Sequence, residues 1–335
     1  MNIYVTQTPY HILLACLDCK KEDEVLYIGS QIKNCVIEQM VNTRFDKGQI
    51  DYIKPLSYYK SNVAALSSFR LYMKKSLKFL EGKSIGKIIV FNDVDPVVQW
   101  ILHRLTYKNA IVVEEGIGLY RDIRKQNEVV FRFLGKILFG FDFENLTRIG
   151  TSKSITYIHC AHPERLNAVQ KTKRIIKQEK TDFSNIAKEL NIKQYNNRNW
   201  FIGQPLVEDG VLTEIEYKRI IRKIFEIKGI DEDKWIIKPH PREDISKYEE
   251  FDKNAIIIQD YEIPVELLIN NESLLDVYTL YSSAILSLSS IKNVNCHAIV
   301  SVDGKHFIQK EIESMFCEKG VILENISSPN GRWQS

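Results

Sequence analysis

Apolar and polar positions change rhythm repeatedly along this chain, with short strand-like runs giving way to stretches of helical period. Asn2 to Gln7 alternates into a strand. Thr8-Pro9 then opens a helix from Tyr10 to Cys19, with Thr8 as N-cap and Pro9 at the first helical position. Val25 to Ile28, Ile50 to Ile53, Lys87 to Phe91, Ala110 to Val113 and Ser154 to His159 read as further strands. Gln31 to Val41, Ser61 to Leu80 and Pro96 to Leu105 read as helices between them. Lysines, asparagines and other polar residues dominate 171–198, strong strand signals disappear, and the segment reads as a linker. Its basic run, Lys171, Lys173, Arg174, Lys177 and Lys180, reads as a solvated helix face.

A second alternating half comes next. Trp200 to Gly203, Trp235 to Ile237, Ala255 to Ile258 and Cys296 to Val302 read as strands, with helices over Glu214 to Lys228, from Pro264, and over Phe307 to Cys317. Strands alternating with helices imply βαβ units and parallel sheets. The expected organisation is an N-terminal α/β domain over 1–170, the linker over 171–198 and a C-terminal α/β domain over 199–335.

Composition narrows the classes. A chain of 335 residues exceeds one ordinary core, and 44% hydrophobic with 27% charged residues fits a soluble globular protein. No apolar run approaches the ~18 residues of a membrane span, and the N-terminus does not begin as a signal peptide. The six scattered cysteines point to a reduced cytoplasm. Cys16 and Cys19 have CxxC spacing, but no second pair completes a zinc site, so they read as two cysteines on one helix. A net charge of +3 with no recognition motif gives no support for a nucleic-acid partner.

Candidate chemistry concentrates at strand ends. Trp235-Ile236-Ile237 is a buried parallel strand that stops at Pro239, and the chain then offers Lys238, His240 and Pro241 within four positions. In open α/β sheets ligands bind beyond the carboxyl ends of strands, where a histidine can hold a phosphate or transfer a proton. Glu114-Glu115-Gly116 comes directly after the strand Ala110 to Val113. Adjacent, partly buried carboxylates raise each other's proton affinity, which suits a general base, and Gly116 lets a substrate approach the backbone; helix-capping acids are the alternative. Glu208-Asp209-Gly210 is a second triplet of the same type. Ser282-Ser283 offers hydroxyls at a helix start, either as an anion site or as a plain N-cap. His162-Pro163 lacks the preceding lysine and reads as structural. Arg121 to Phe143 mixes basic and aromatic residues, as in a surface against a second domain, a second copy in a homodimer, or an anionic membrane.

Taken together, an acidic pair on a strand end in the first half, then Lys238-x-His240-Pro241, Pro264-x-Glu266 and Ser282-Ser283 in the second, resemble the bacterial sialyltransferases of glycosyltransferase families 38, 52 and 80. The length and the opening Gln7-Thr8-Pro9-Tyr10-His11 look most like family 52, the lipooligosaccharide and capsule type. The resemblance implies a GT-B fold, two Rossmann-like domains with parallel sheets facing an interdomain cleft, acceptor side first and CMP-donor side second. It implies an inverting transfer from CMP-sialic acid to a galactoside or other oligosaccharide of a bacterial surface glycan. Glu115 would deprotonate the acceptor hydroxyl, with Asp209 as runner-up, and Glu114 and Gly116 would complete the motif. His240 and Pro241, with Lys238, would meet the phosphate and assist its departure. Glu266 would hold the ribose of CMP, and Ser282 and Ser283 the phosphate.

Asp93-Val94-Asp95 lies in the half opposite the donor, and Asp231-Glu232-Asp233 precedes its strand, so neither suits a cation on the donor phosphate. The expectation is catalysis without metal or other cofactor. A cytoplasmic protein, peripheral at the inner face of the membrane, is expected from the acceptor class. Three alternatives remain open: another CMP-activated nonulosonic acid or CMP-Kdo as donor, a non-hydrolysing sugar-nucleotide epimerase, and a non-catalytic glycan- or nucleotide-binding partner in polysaccharide assembly.

Overall fold

The structure, a computed structural model, describes residues 1–29, 35–45, 50–53, 75, 77–80, 82–122, 136, 143–178, 183–195, 199–227, 235–251, 255–260, 263–270, 274–282, 284–289, 291, 293–307 and 310–327. The chain divides into two compact units, Met1–Glu179 and Lys180–Ser335.

The first unit is built on seven parallel strands: β1 (Asn2–Thr6), β2 (Glu24–Ile28), β3 (Ile50–Ile53), β4 (Ile85–Val90), β5 (Tyr107–Val113), β6 (Tyr157–Cys160) and β7 (Arg174–Lys177). Their spatial order is β3-β2-β1-β4-β5-β6-β7. The interior strands carry the sequence's unbroken apolar runs because both faces are covered: Ile3, Val5, Ile88, Val90, Ala110 and Val112 are at most 1% exposed. Helix α1 (Pro9–Asp18) comes after β1, α2 (Cys35–Arg44) after β2 and α3 (Pro96–Arg104) after β4. The first has the expected start, with Thr8 Oγ1 accepting the His11 N–H at 3.2 Å and Pro9 at the first position.

The second unit repeats the scheme with β8 (Asn199–Ile202), β9 (Trp235–Lys238), β10 (Ala255–Ile257), β11 (Leu275–Thr279) and β12 (Val294–Val302) in the order β10-β9-β8-β11-β12. Beyond them β13 (Lys305–His306) pairs antiparallel and β14 (Ile322–Ile326) parallel with β12. Helices α4 (Ser184–Glu189), α5 (Glu214–Ile227), α6 (Val265–Leu268), α7 (Ala284–Leu288) and α8 (Lys310–Glu318) complete it. Trp235, fully buried, stacks on Phe225 at 4.1 Å, and Tyr217 and Tyr248 are equally buried. Burying each such ring contributes about 2–3 kcal/mol. These are two Rossmann-like α/β units, the make-up of the GT-B class.

Three segments differ from the sequence reading. Among the described residues the basic run in 171–198 is not one helix face: Lys171 lies in a short 3-10 turn, Gln170–Thr172, and Lys180 lies outside the described residues. Arg174–Lys177 is the edge strand β7, in parallel register with β6, and the lysines read as helical because an edge strand leaves most of its side chains in water. The segment also contains α4, whose Ile186 and Ala187 are buried. Strands β13 and β14 went unread because the first has two residues and the second breaks its apolar Ile322, Leu323 and Ile326 with the pair Glu324-Asn325. The helix expected from Phe307 starts at Lys310. Most of the helix expected over Ser61 to Leu80 lies outside the described residues, as do Asp231-Glu232-Asp233 and most of Arg121 to Phe143; Phe143 itself is buried in the first core. Among the described residues no helix is long and apolar enough to cross a membrane.

Candidate active site

In an open sheet the binding crevice lies where strand order reverses, beyond the carboxyl ends. In the first unit that point separates β1 from β4, and the loops after β1, β4 and β5 carry its chemistry. The two acids after β5 part company. Glu114 accepts the Tyr120 hydroxyl and the Ala161 N–H (2.6 Å) on one carboxylate oxygen, and its own N–H donates to His159 O (2.9 Å). It therefore ties the end of β5 to the end of β6. Burial, reinforced by the Glu114 charge, drives the Tyr120 phenol well above its ordinary range, so it stays a hydroxyl donor. Glu115 instead meets the ring Nε2 of His11 and keeps 29% of its side chain exposed. Gly116 has φ 154°, a conformation side chains rarely adopt. Buried Gln170 pins the short turn beyond it, donating to Leu119 O (2.9 Å) and Ile149 O (2.7 Å).

The Asp-x-Asp stretch is taken up by backbone. Asp93, fully buried, accepts the Gly150 N–H (2.7 Å) and the Ser152 N–H (2.9 Å) on separate oxygens. Asp95 caps α3 through Val97 N–H (2.7 Å) and Val98 N–H (3.3 Å). Burial raises the pKa of both, against the lowering effect of these bonds.

In the second unit strand order reverses between β8 and β11, with β9 beside β8. His240 stands two residues beyond β9. Its N–H donates to Glu243 Oε2 (2.6 Å), and its Nδ1 accepts the Arg242 N–H (3.1 Å). An Nδ1 that accepts leaves the neutral ring's proton on Nε2. Burial first, then the charges of Arg242 and Lys238, push the imidazole down to about 4, with Asp209 and Glu208 opposing. The ring is neutral at pH 7. Lys238 is buried, its Nζ donating to Pro239 O at 3.3 Å.

Glu243 is the hub beneath this loop. Its Oε1 accepts the hydroxyls of Tyr248 (2.9 Å) and Tyr217 (3.2 Å) and pairs with Lys247 (2.7 Å). A Cβ on Gly203 would collide with the Glu243 carboxylate and the Tyr248 hydroxyl, so only glycine fits at the end of β8. The next residue, Gln204, donates its N–H to Tyr217 Oη (3.0 Å), and its Oε1 accepts the Tyr281 N–H (2.7 Å). A continuous network therefore runs from the loop after β11, through Gln204 and Tyr217, to Glu243 and His240. Ser282, in that loop, donates its N–H to Thr279 Oγ1 (3.3 Å) and accepts the Ala284 N–H (3.4 Å) near the start of α7; Ser283 lies outside the described residues. Glu266 is buried and accepts the Ser287 hydroxyl (2.6 Å), and burial raises its pKa.

The second acidic triplet sits against the histidine loop. Glu208 accepts the Asp244 N–H (2.9 Å) and pairs with Lys247 (3.0 Å). Asp209 binds both terminal nitrogens of Arg242 (2.8 and 3.2 Å).

The alpha-2,8-polysialyltransferase (POLYST) family model matches residues 2–301. The chain belongs to that family. It is thus a glycosyltransferase, and by family a sialyltransferase, as its motifs suggested. Among solved structures it is similar to an alpha/beta-galactoside alpha-2,3-sialyltransferase of Photobacterium phosphoreum (13% identity, 96% of this chain and 97% of that one, TM-score 0.49). It is also similar to the GT-B domain of a sialyltransferase from Photobacterium damselae (11%, 98% and 100%, 0.49). A third is the spinosyn rhamnosyltransferase SpnG with thymidine diphosphate (11%, 98% and 87%, 0.45). No curated protein sequence matches it.

Within this sialyltransferase the first unit brings Glu114, Glu115 and Gly116 together at one strand end. The second gathers Lys238, His240, Pro241, Glu208 and Asp209 on neighbouring loops and ties the Ser282 loop to them. Sequence reasoning missed His11 and Gln204 as partners of these groups. It also missed Glu243, whose signal was a carboxylate three residues after His240, placed to receive the loop's own N–H.

Proposed function

We propose that the protein transfers sialic acid from CMP-sialic acid to a terminal sugar of a bacterial surface glycan, with inversion and without a metal ion. The observation that carries this reading is His240: a neutral imidazole beyond β9, oriented by Arg242 at Nδ1 and presenting its proton on Nε2. As the bond from the anomeric carbon to the phosphate oxygen breaks, negative charge grows on the phosphate. A fixed donor aimed at that charge stabilises it more than the ground state. An arriving phosphate adds negative charge beside the ring and favours proton uptake from solvent, against burial and the charges of Arg242 and Lys238; the ring so protonated passes its proton to departing CMP.

Lys238, Pro241, Ser282 and Ser283 complete the phosphate side. Glu266, held by Ser287, takes a ribose hydroxyl. On the acceptor, Glu115 takes the hydroxyl proton while the oxygen bonds to the anomeric carbon from the face opposite CMP, which inverts the centre. Metal independence is supported by the use of both Asp93 and Asp95 for backbone N–H groups. The acceptor expected from the motifs is a galactoside. The family match favours a second reading, a sialylated acceptor extended through an α-2,8 bond. Either acceptor is assembled at the inner face of the cell membrane, and we place the enzyme in the cytoplasm there.

The test is purified protein with CMP-sialic acid, a galactoside or a sialylated galactoside, and excess EDTA, with linkage read by NMR. Transfer is expected in EDTA, and His240→Ala is expected to lower turnover by roughly a hundredfold or more. Dependence on added magnesium or manganese would overturn the metal-free reading. Near-wild-type turnover of His240→Ala would remove its central residue. CMP binding without transfer to either acceptor would make the protein a binding partner.

A further inference from the structure

We infer that His11 is a positioning residue for Glu115, a hydrogen-bond donor that holds the base carboxylate in one orientation. The inference rests on the reading of Glu115 as base and goes beyond it. Three contacts define the ring. Its Nδ1 accepts the Gln7 N–H at 3.1 Å, from the loop that leaves β1. Its face stacks on Phe91, just past β4, with centroids 4.3 Å apart and planes at 17°. Its Nε2 meets Glu115 Oε2, beyond β5.

The loops of three strands thus meet at one imidazole that is 2% exposed. With Nδ1 occupied by a backbone donor, the neutral ring carries its proton on Nε2, facing the carboxylate. Thr8 holds the first turn of α1 and so the ring's height. Gln7, in turn, is bonded through its side chain to the capping Asp95. Glu115 has several rotatable bonds and a side chain 29% exposed. Without a fixed donor its carboxylate would sweep the loop. With Oε2 held, Oε1 is the oxygen presented to an acceptor hydroxyl. The proton passes from that hydroxyl to Glu115, and His11 keeps its own throughout.

His11→Phe keeps the stack on Phe91 and removes the Nε2–H. Its kcat is expected to fall by about a hundredfold, the effect of misplacing a reacting group by ~1 Å. The KM for CMP-sialic acid should stay within about twofold, because donor residues lie in the other unit. His11→Gln restores an N–H at the reach of Nε2 and should recover at least about tenfold of the loss. Folding is monitored by circular dichroism and Tm. If His11→Phe does not fold, His11→Asn takes its place, since its amide oxygen still receives the Gln7 N–H but its amide falls short of Glu115.

Glu115→Gln is assayed beside them. Inactive Glu115→Gln with a folded His11→Phe near wild-type kcat overturns the inference. So does a folded His11→Gln no faster than His11→Phe, or than His11→Asn where that variant replaces it. Active Glu115→Gln overturns the base assignment instead. A fall in kcat at constant donor KM, relieved by glutamine, establishes the role.

Discussion

Glu114-Glu115-Gly116 and Glu208-Asp209-Gly210 are the same word written twice, and the fold reads them in parallel. In each, the first acid is spent on architecture: Glu114 joins β5 to β6 through Tyr120 and Ala161, and Glu208 holds Lys247 and the Asp244 N–H. In each, the second acid points away to a single nitrogen-bearing partner. The difference lies in that partner. Asp209 is gripped through both oxygens by the two terminal nitrogens of one guanidinium, so neither oxygen is left without a partner. Glu115 is held at one oxygen by an imidazole whose other nitrogen is already occupied. A motif of two acids and a glycine is therefore not a role. Its chemistry is set by whether its partner consumes the carboxylate or aims it.

The largest effect that bears on this contrast is exchange of each second acid for its amide. Glu115→Gln is expected to lose transfer by at least two to three orders of magnitude while still binding CMP. Asp209→Asn should stay within about tenfold of wild type. Turnover of both variants at saturating donor decides, and the opposite ranking would move the base to Asp209.

The middle-sized effect concerns the first acids, which should matter for folding rather than chemistry. Glu208→Ala leaves the buried Lys247 with one carboxylate instead of two and is expected to cost about 1–3 kcal/mol, read as a lower Tm with kcat per folded molecule nearly unchanged. In the wild type burial alone would raise the Glu208 pKa, but the Asp244 N–H and the Lys247 ammonium outweigh it and hold it low. A variant with full stability and collapsed kcat would reverse the division of labour.

Much of this was legible in the sequence, for physical reasons that also mark where it stopped. Interior parallel strands are buried on both faces, so β4, β5 and β9 announced themselves as apolar runs, while β1 was read from its alternation. Edge strands lack that constraint, and Arg174–Lys177 passed for a solvated helix. The motif residues were legible because Pro239 and Gly116 stop strands in ways few other residues can. Their partners were not. His11 and Glu115 are 104 positions apart, and Asp209 and Arg242 are 33 apart. Nothing local distinguishes an acid that meets a histidine from one that meets an arginine; strand order decides it.

The smallest expected effect is a pH dependence of stability. The His240 pKa is lowered from 6.5 to about 4 in the folded state. Between those values the unfolded chain binds a proton that the folded one does not. Stability therefore declines as pH falls from 6.5 towards 4 and gains nothing from this group above 6.5. His240→Asn should flatten that slope in Tm measured from pH 7 to 4.5. An unchanged slope would mean that the ring is not held neutral by its surroundings, and the contrast between a gripped and an aimed side chain would lose its clearest electrostatic witness.

The network through Gln204 and Glu243 has one further consequence. The amides of Gln204, Tyr281 and His240 are donated to side-chain oxygens and not to a neighbouring strand. Sheet amides exchange with deuterium when the sheet opens. These three exchange whenever a tyrosine, a glutamine or a glutamate lets go. They form a natural clock for the loops around His240, running on side-chain motion while the sheet beneath them stays closed.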